Sequence, residues 1–214
     1  MIKNIAFTLL LGLQLFTSCS QNNQKSKTIM NDSISSSITL DSAVFAAGCF
    51  WCIEAIYQDF KGVVAVESGY SNGLVKNPTY KEVCTGTTGC AEVAKITFNP
   101  AIISYNQLVE IFWHAHNPTT LNRQGGDIGT QYRSAIYYLN DEQKKIAETS
   151  KKVTNESGLW NDPIVTEITA LKDYSKAEDY HQNYFKNNPN AGYCSAVIAP
   201  KVSKIRKMYA HLLK

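Results

Sequence analysis

At 214 residues, with 44% hydrophobic and 18% charged residues, the chain has the make-up of an ordinary globular protein with room for one sizeable core. Its net charge of +3 comes from lysines and arginines spread along the sequence, which excludes the basic stripe of a nucleic-acid binder. The densest basic cluster, Lys201 to Lys207, reads as a solvated helix face.

Residues 1–18 have the pattern of a signal peptide: Lys3 is the positive start, Ile5 to Phe16 the apolar stretch, and Thr17-Ser18 the small residues before Cys19. The apolar stretch is too short for a transmembrane span. Phe16-Thr17-Ser18-Cys19 also resembles a bacterial lipobox, with Phe16 where Leu is usual, in which the cysteine is lipidated and becomes the mature N-terminus. An ordinary cleaved signal is the alternative. Residues 19–40, rich in Gln, Asn, Ser and Lys, cannot bury enough apolar surface to offset ordering, so a lipidated Cys19 on a flexible tether is expected. The expectation is an exported lipoprotein, anchored to a membrane and facing the periplasm or exterior. Five of the six cysteines then remain, and an odd number in an exported chain points to thiol chemistry.

Residues 41–214 are the expected catalytic domain. The apolar run Ala43 to Ala47 predicts a first strand, and Ile53, Ile56, Tyr57 and Phe60 have the spacing of a helix with one buried face, ended by Gly62. Val63 to Tyr70 and Ala91 to Phe98 read as strands joined by a loop rich in Gly, Asn, Thr and Pro. Ser104 and Gln107 form a capping box for a helix through Ala115, and a long polar loop, Asn117 to Gln131, follows. Ser134 to Leu139 predicts a strand, Asp141 caps a charged helix that Gly158 ends, and Ile164 to Ala170 is a further strand. Ser175 and Glu178 read as another capping box, opening a helix with Ala177, Tyr180, His181, Tyr184 and Phe185 on one face; a short basic helix closes the chain. Several strands are joined by loops instead of crossover helices. The expected fold is therefore α/β (α+β), a two-layer sandwich with a mixed sheet and a ferredoxin-like core in a single domain.

Gly48-Cys49-Phe50-Trp51-Cys52 places a thiol where a strand meets a helix, beside two aromatics. The unpaired N–H groups of a helix N-terminus favour thiolate, so Cys49 is the candidate nucleophile and a lowered pKa is expected. Cys49 and Cys52 also form a C-x-x-C pair, consistent with a thiol–disulfide oxidoreductase. No second C-x-x-C or spaced His pair completes a zinc site, and Ile53 stands where haem attachment needs His, so no metal is expected.

Gly48-Cys49-Phe50-Trp51, Gly69-Tyr70-Ser71-Asn72-Gly73, Asn77-Pro78-Thr79-Tyr80, Glu82 to Gly89 with Ala91-Glu92, Asp127 to Ser134, and Glu178-Asp179-Tyr180-His181-Gln182 with Tyr184 together resemble peptide methionine sulfoxide reductase, type A. The resemblance runs from about Val44 to Pro200. It implies a peptide-methionine (S)-S-oxide reductase that repairs oxidised proteins and free methionine sulfoxide. Cys49 would attack the sulfoxide sulfur and become a sulfenic acid, with Glu92, kept protonated by desolvation, as the acid. Tyr80 and Tyr132 would hold the sulfoxide oxygen, and Phe50 and Trp51 the S-methyl group. Asp127, His181 and Tyr184 would contact the substrate backbone, although a structural histidine is an open alternative at His181. The sulfenic acid is resolved to a disulfide, by Cys194 in a flexible C-terminal segment or by Cys52, which stands where many members have glycine. Cys194 is preferred because an intrahelical disulfide at the first turn would be strained. The resemblance further implies no bound cofactor, a thioredoxin-like electron donor and a monomer. Cys84 and Cys90 are expected to be structural.

Overall fold

The computed structural model describes residues 39–214; the signal, Cys19 and the tether through residue 38 lie outside the described residues. The first strand, β1 (Asp41–Ala47), lies near the middle of the sheet, and Ala43, Val44, Phe45 and Ala46 are fully buried. Phe45 faces Tyr57 and Phe112 in the main core, while Val44 and Ala46 pack with Val93, Ala135 and Tyr137 on the opposite face. A strand covered on both sides needs apolar residues at both parities, which is why the sequence shows a run there instead of alternation.

The chain continues through α1 (Phe50–Tyr57), β2 (Val63–Ser71), α2 (Tyr80–Cys84), β3 (Ala91–Phe98) and α3 (Tyr105–Ala115). A small hairpin of β4 (Arg123–Gln124) and β5 (Asp127–Ile128), then a 3-10 turn at Thr130–Tyr132, lead to β6 (Ser134–Tyr138). After α4 (Asp141–Glu156) come the edge strands β7 (Glu167–Ala170) and β8 (Tyr174–Lys176), a 3-10 turn at Asp179–His181 and α5 (Tyr184–Asn187). A π-helical turn, Cys194–Ile198, runs directly into α6 (Ala199–Met208).

The sheet order is β7-β6-β1-β3-β2-β8. Its inner four strands pair antiparallel and are connected β1-α1-β2-β3-α3-β6, which is the ferredoxin-like core; β7 adds in parallel to β6 and β8 antiparallel to β2, making the sheet mixed.

Several local expectations need correction. The stretch read as loop contains α2, whose N-cap Thr79 and N3 Glu82 bond each other's backbone in a capping box. The similar Ser175–Glu178 pattern caps nothing: Ser175 lies in β8 against Tyr70, and Glu178 spends its carboxylate elsewhere. Instead of one helix, the segment is a 3-10 turn, a left-handed Asn183 (φ 55°, ψ 32°) and the short α5. α1 ends at Tyr57, short of Phe60; Asn140, not Asp141, caps α4; and β7 begins at Glu167 instead of Ile164. The long loop before Gln131 is organised by the β4–β5 hairpin.

Candidate active site

Gly48 turns the chain from β1 into α1 with φ +81°, and a Cβ there would lie 2.6 Å from carbons of Gln124, so the position requires glycine on both counts. Gln124 is buried and clasps its own loop, accepting from the Asn117 N–H (3.1 Å) and donating to the Asn117 carbonyl (3.0 Å). The loop is thereby held against the strand-to-helix turn.

Cys49 is the N-cap of α1, with non-helical backbone (φ −58°, ψ 124°), and only 7% of it is exposed. Contrary to expectation, its pKa is pushed well up, by burial first and then by the hydrogen bond it donates to Cys52 and the neighbouring Glu92. The favoured thiolate is Cys52, whose pKa is lowered chiefly by that hydrogen bond from Cys49, with Lys201 and Tyr193 adding to it against the cost of burial. Dipole reasoning alone missed this because it left out desolvation.

Glu92 comes from β3, is 1% exposed, and accepts the Phe50 N–H at 3.1 Å. Burial pushes its carboxyl up to about 8, with Asp127 and Cys52 contributing, so it is protonated at neutral pH. It is a buried acid at the foot of the nucleophile's helix. Tyr80, at the start of α2, and Tyr132, in the 3-10 turn, have phenols held protonated by burial and by Glu92 nearby.

The aromatic wall is continuous. Phe50 lies near Tyr80 (6.5 Å between ring centres, 21°) and His181 (5.0 Å), and Trp51 stacks on Tyr184 (3.7 Å, 8°). Trp51 Nε1 donates to His181 Nδ1 at 3.1 Å, so the ring proton of neutral His181 sits on Nε2. That Nε2 is buried without a hydrogen-bond partner among the described residues, and burial lowers the His181 pKa. His181 and Tyr184 thus meet Trp51 without sharing a helix. Asp127, in β5, accepts the Tyr193 hydroxyl at 2.5 Å.

Cys194 does not lie in an irregular segment: it opens the π-helical turn and is fully buried, with Cys52 as the thiol that bears on it. Cys49 is outside the helical turn, so the Cys49–Cys52 pair straddles the N-cap and the objection of an intrahelical strain falls away. Of the remaining thiols, Cys90 is buried, with Sγ 3.5 Å from the Val75 carbonyl, whereas Cys84 is exposed beside the Tyr80 hydroxyl and contributes nothing to the core.

Sequence reasoning passed over four contributors. Glu178 accepts both the Tyr80 N–H (2.8 Å) and the Tyr70 hydroxyl (2.9 Å), tying α2 to the sheet. Glu54, buried on α1, accepts the Asn183 N–H at 2.9 Å and so anchors the segment carrying Tyr184; burial pushes its carboxyl up to about 7. Tyr193 links Asp127 to Cys52. Lys201, assigned to a solvated face, is half-buried with Nζ 3.9 Å from Cys52 Sγ. The glutamate was visible inside Glu178-Asp179-Tyr180-His181; the others carried no local signal. Among the described residues no group of three His, Cys, Asp or Glu side chains is placed to hold a metal ion.

A protonated acid, two phenols, an aromatic wall and a buried thiol pair form an arrangement suited to removing an oxygen atom from an apolar, methyl-bearing centre. The comparisons agree. The sequence model of the family "Peptide methionine sulfoxide reductase" matches residues 41–213. A peptide methionine sulfoxide reductase MsrA of Polynucleobacter asymbioticus is 51% identical over 175 residues, covering 82% of this chain and 92% of the relative. The reduced form of Mxr1 from Saccharomyces cerevisiae superposes with a TM-score of 0.68 at 35% identity, covering 72% of this chain and 89% of that one. Mxr1 in complex with Trx2 aligns with a TM-score of 0.50 at 26% identity, covering 74% and 91%. The chain belongs to the peptide methionine sulfoxide reductase family, type A.

Proposed function

We propose that the chain reduces methionine-S-sulfoxide, free or in oxidised proteins, to methionine. Cys49 loses its thiol proton to solvent and attacks the sulfoxide sulfur while Glu92 gives its proton to the sulfoxide oxygen; that S–O bond breaks as the oxygen bonds to the Cys49 sulfur, so methionine leaves and Cys49 becomes a sulfenic acid. Tyr80 and Tyr132 hold that oxygen as charge develops, and Phe50 and Trp51 receive the S-methyl group. Asp127, His181 and Tyr184 contact the substrate backbone. The observation that carries this reading is Glu92: a buried carboxyl, pushed up to about 8, bonded to the N–H of the residue after Cys49. A thiol–disulfide exchange enzyme built on Cys49 and Cys52 alone has no leaving oxygen for such an acid to protonate.

Cys52 is the first resolving thiol, supported by its place three residues from Cys49 across the N-cap, and Cys194 stands behind it for a second exchange. No cofactor takes part; the disulfide is reopened by a thioredoxin-like dithiol, a reading supported by the Mxr1–Trx2 complex. Cys49→Ser abolishes turnover of N-acetyl-methionine S-sulfoxide, measured as methionine released in the presence of a dithiol reductant; full activity in that variant would falsify the assignment.

The same reading makes the chain an exported monomer with residues 1–18 removed, Cys19 lipidated and the catalytic domain held to a membrane on residues 19–40. What supports it is Lys3, the apolar stretch Ile5 to Phe16 and the order Thr17-Ser18-Cys19. In cells given labelled palmitate, the full-length protein takes up label and sediments with membranes, and Cys19→Ala does neither; unlabelled wild-type protein would remove the anchor.

A further inference from the structure

Among the described residues, the cation set against Cys52 is carried by the C-terminal helix. Lys201 follows Pro200 in the first turn of α6, and its Nζ reaches Cys52 Sγ at 3.9 Å, within range of an N–H···S contact. Cys52 is 1% exposed, so its charge has little water to stabilise it and a neighbouring ammonium counts for more than at the surface. Other groups also bear on this sulfur. Cys49, three residues earlier at the N-cap, and Tyr193, whose hydroxyl proton goes to Asp127, both favour a negative charge there; Asp127 of β5 opposes it, and Glu92 and Cys194 also lie within electrostatic reach. Among these groups only Lys201 is positively charged.

We propose that Lys201 is a catalytic residue of the second half-reaction, holding Cys52 as the thiolate that attacks the Cys49 sulfenic acid. This rests on the reductase reading above. In the step it serves, the Cys52 sulfur attacks the Cys49 sulfur and an S–S bond forms as the S–O bond breaks. Hydroxide leaves, takes a proton from solvent and becomes water. The Cys49 sulfur is reduced from the sulfenic to the disulfide level, and the Cys52 sulfur is oxidised to the same level.

The test is single turnover of the full chain with N-acetyl-methionine S-sulfoxide, quenched with acid, following methionine and disulfide separately in wild type, Lys201→Gln and Lys201→Arg. If the glutamine variant raises the Cys52 pKa by about one, thiolate below that pKa falls about tenfold while intrinsic nucleophilicity rises about threefold, so disulfide formation slows about threefold. Above the raised pKa the thiolate is fully formed in both proteins, and the variant becomes about threefold faster than wild type. That crossover with pH, together with a wild-type profile in Lys201→Arg, is the expected result. An unchanged profile in Lys201→Gln overturns the proposal, and so does a slowing equal at every pH, which marks a packing role. A wild-type disulfide map joining Cys49 directly to Cys194 also overturns it, leaving the reductase reading intact. Absence of methionine in wild type overturns the reductase reading itself.

Discussion

Glu92 has two partners with opposing effects: burial raises its pKa, and the Phe50 N–H lowers it by favouring the carboxylate. Burial wins, at about 8, so methionine formation loses its acid as pH rises through that value. The expected outcome for Glu92→Gln is a methionine-forming step slower by about a hundred- to ten-thousand-fold and without the alkaline decline, read by single turnover across the pH range. A variant within about threefold of wild type would remove Glu92 from the chemistry. At this scale the sequence was informative about which side chains gather, because Cys49, Glu92, Tyr80 and Tyr132 sit in ordered blocks. It was poor on their charge. The order of acidity in the thiol pair depends on burial and on Lys201, which lies 149 positions from Cys52.

Elements explain why some of the fold was legible. The run Ala43 to Ala47 and the capping box at Ser104 and Gln107 act locally, and β1 and α3 follow from them. Thr79-x-x-Glu82 and Ser175-x-x-Glu178 carry the same local signal with opposite outcomes, because Glu178 has the Tyr70 hydroxyl and the Tyr80 N–H to satisfy and Ser175 has a sheet edge to join. Between that edge and α5, Asn183 is held left-handed by Glu54 at its N–H and by Gln58 Nε2 at its Oδ1 (2.9 Å). Valine at 183 pays the left-handed penalty of about 1–2 kcal/mol and frees the segment carrying Tyr184, so Asn183→Val lowers the urea midpoint and raises KM. Asn183→Gly, which tolerates the conformation, stays nearer wild type. Equal midpoints and KM for Val and wild type would show that this turn does not position Tyr184.

At the scale of the whole molecule, two buried carboxyls make stability depend on pH in a direction unusual for glutamates. Glu54 and Glu92 stand near 7 and 8 when folded, against 4.5 for an ordinary glutamate, so the native state binds more protons than the unfolded chain between those values. Their contribution is present below about 4.5 and is lost as pH rises through about 7 and 8. Urea midpoints therefore fall across this window, and the Glu54→Gln, Glu92→Gln double variant shows a flatter decline. A slope identical in the two proteins would assign it to other groups. The ferredoxin-like core was legible because strand and helix periods alternate along the chain. The closing of the site by segments from both ends of the domain was not, since long-range contact leaves no periodic trace.

The spacing of these contacts has a temporal meaning. Trp51 finds His181 across 130 residues and Cys52 finds Lys201 across 149, so a chain growing from its N-terminus delivers the thiol pair early and the residues that govern it last. Until α6 docks, Cys52 lacks the Lys201 counter-charge. Docking of the C-terminal helix is thus the step that brings the counter-charge to the thiol pair.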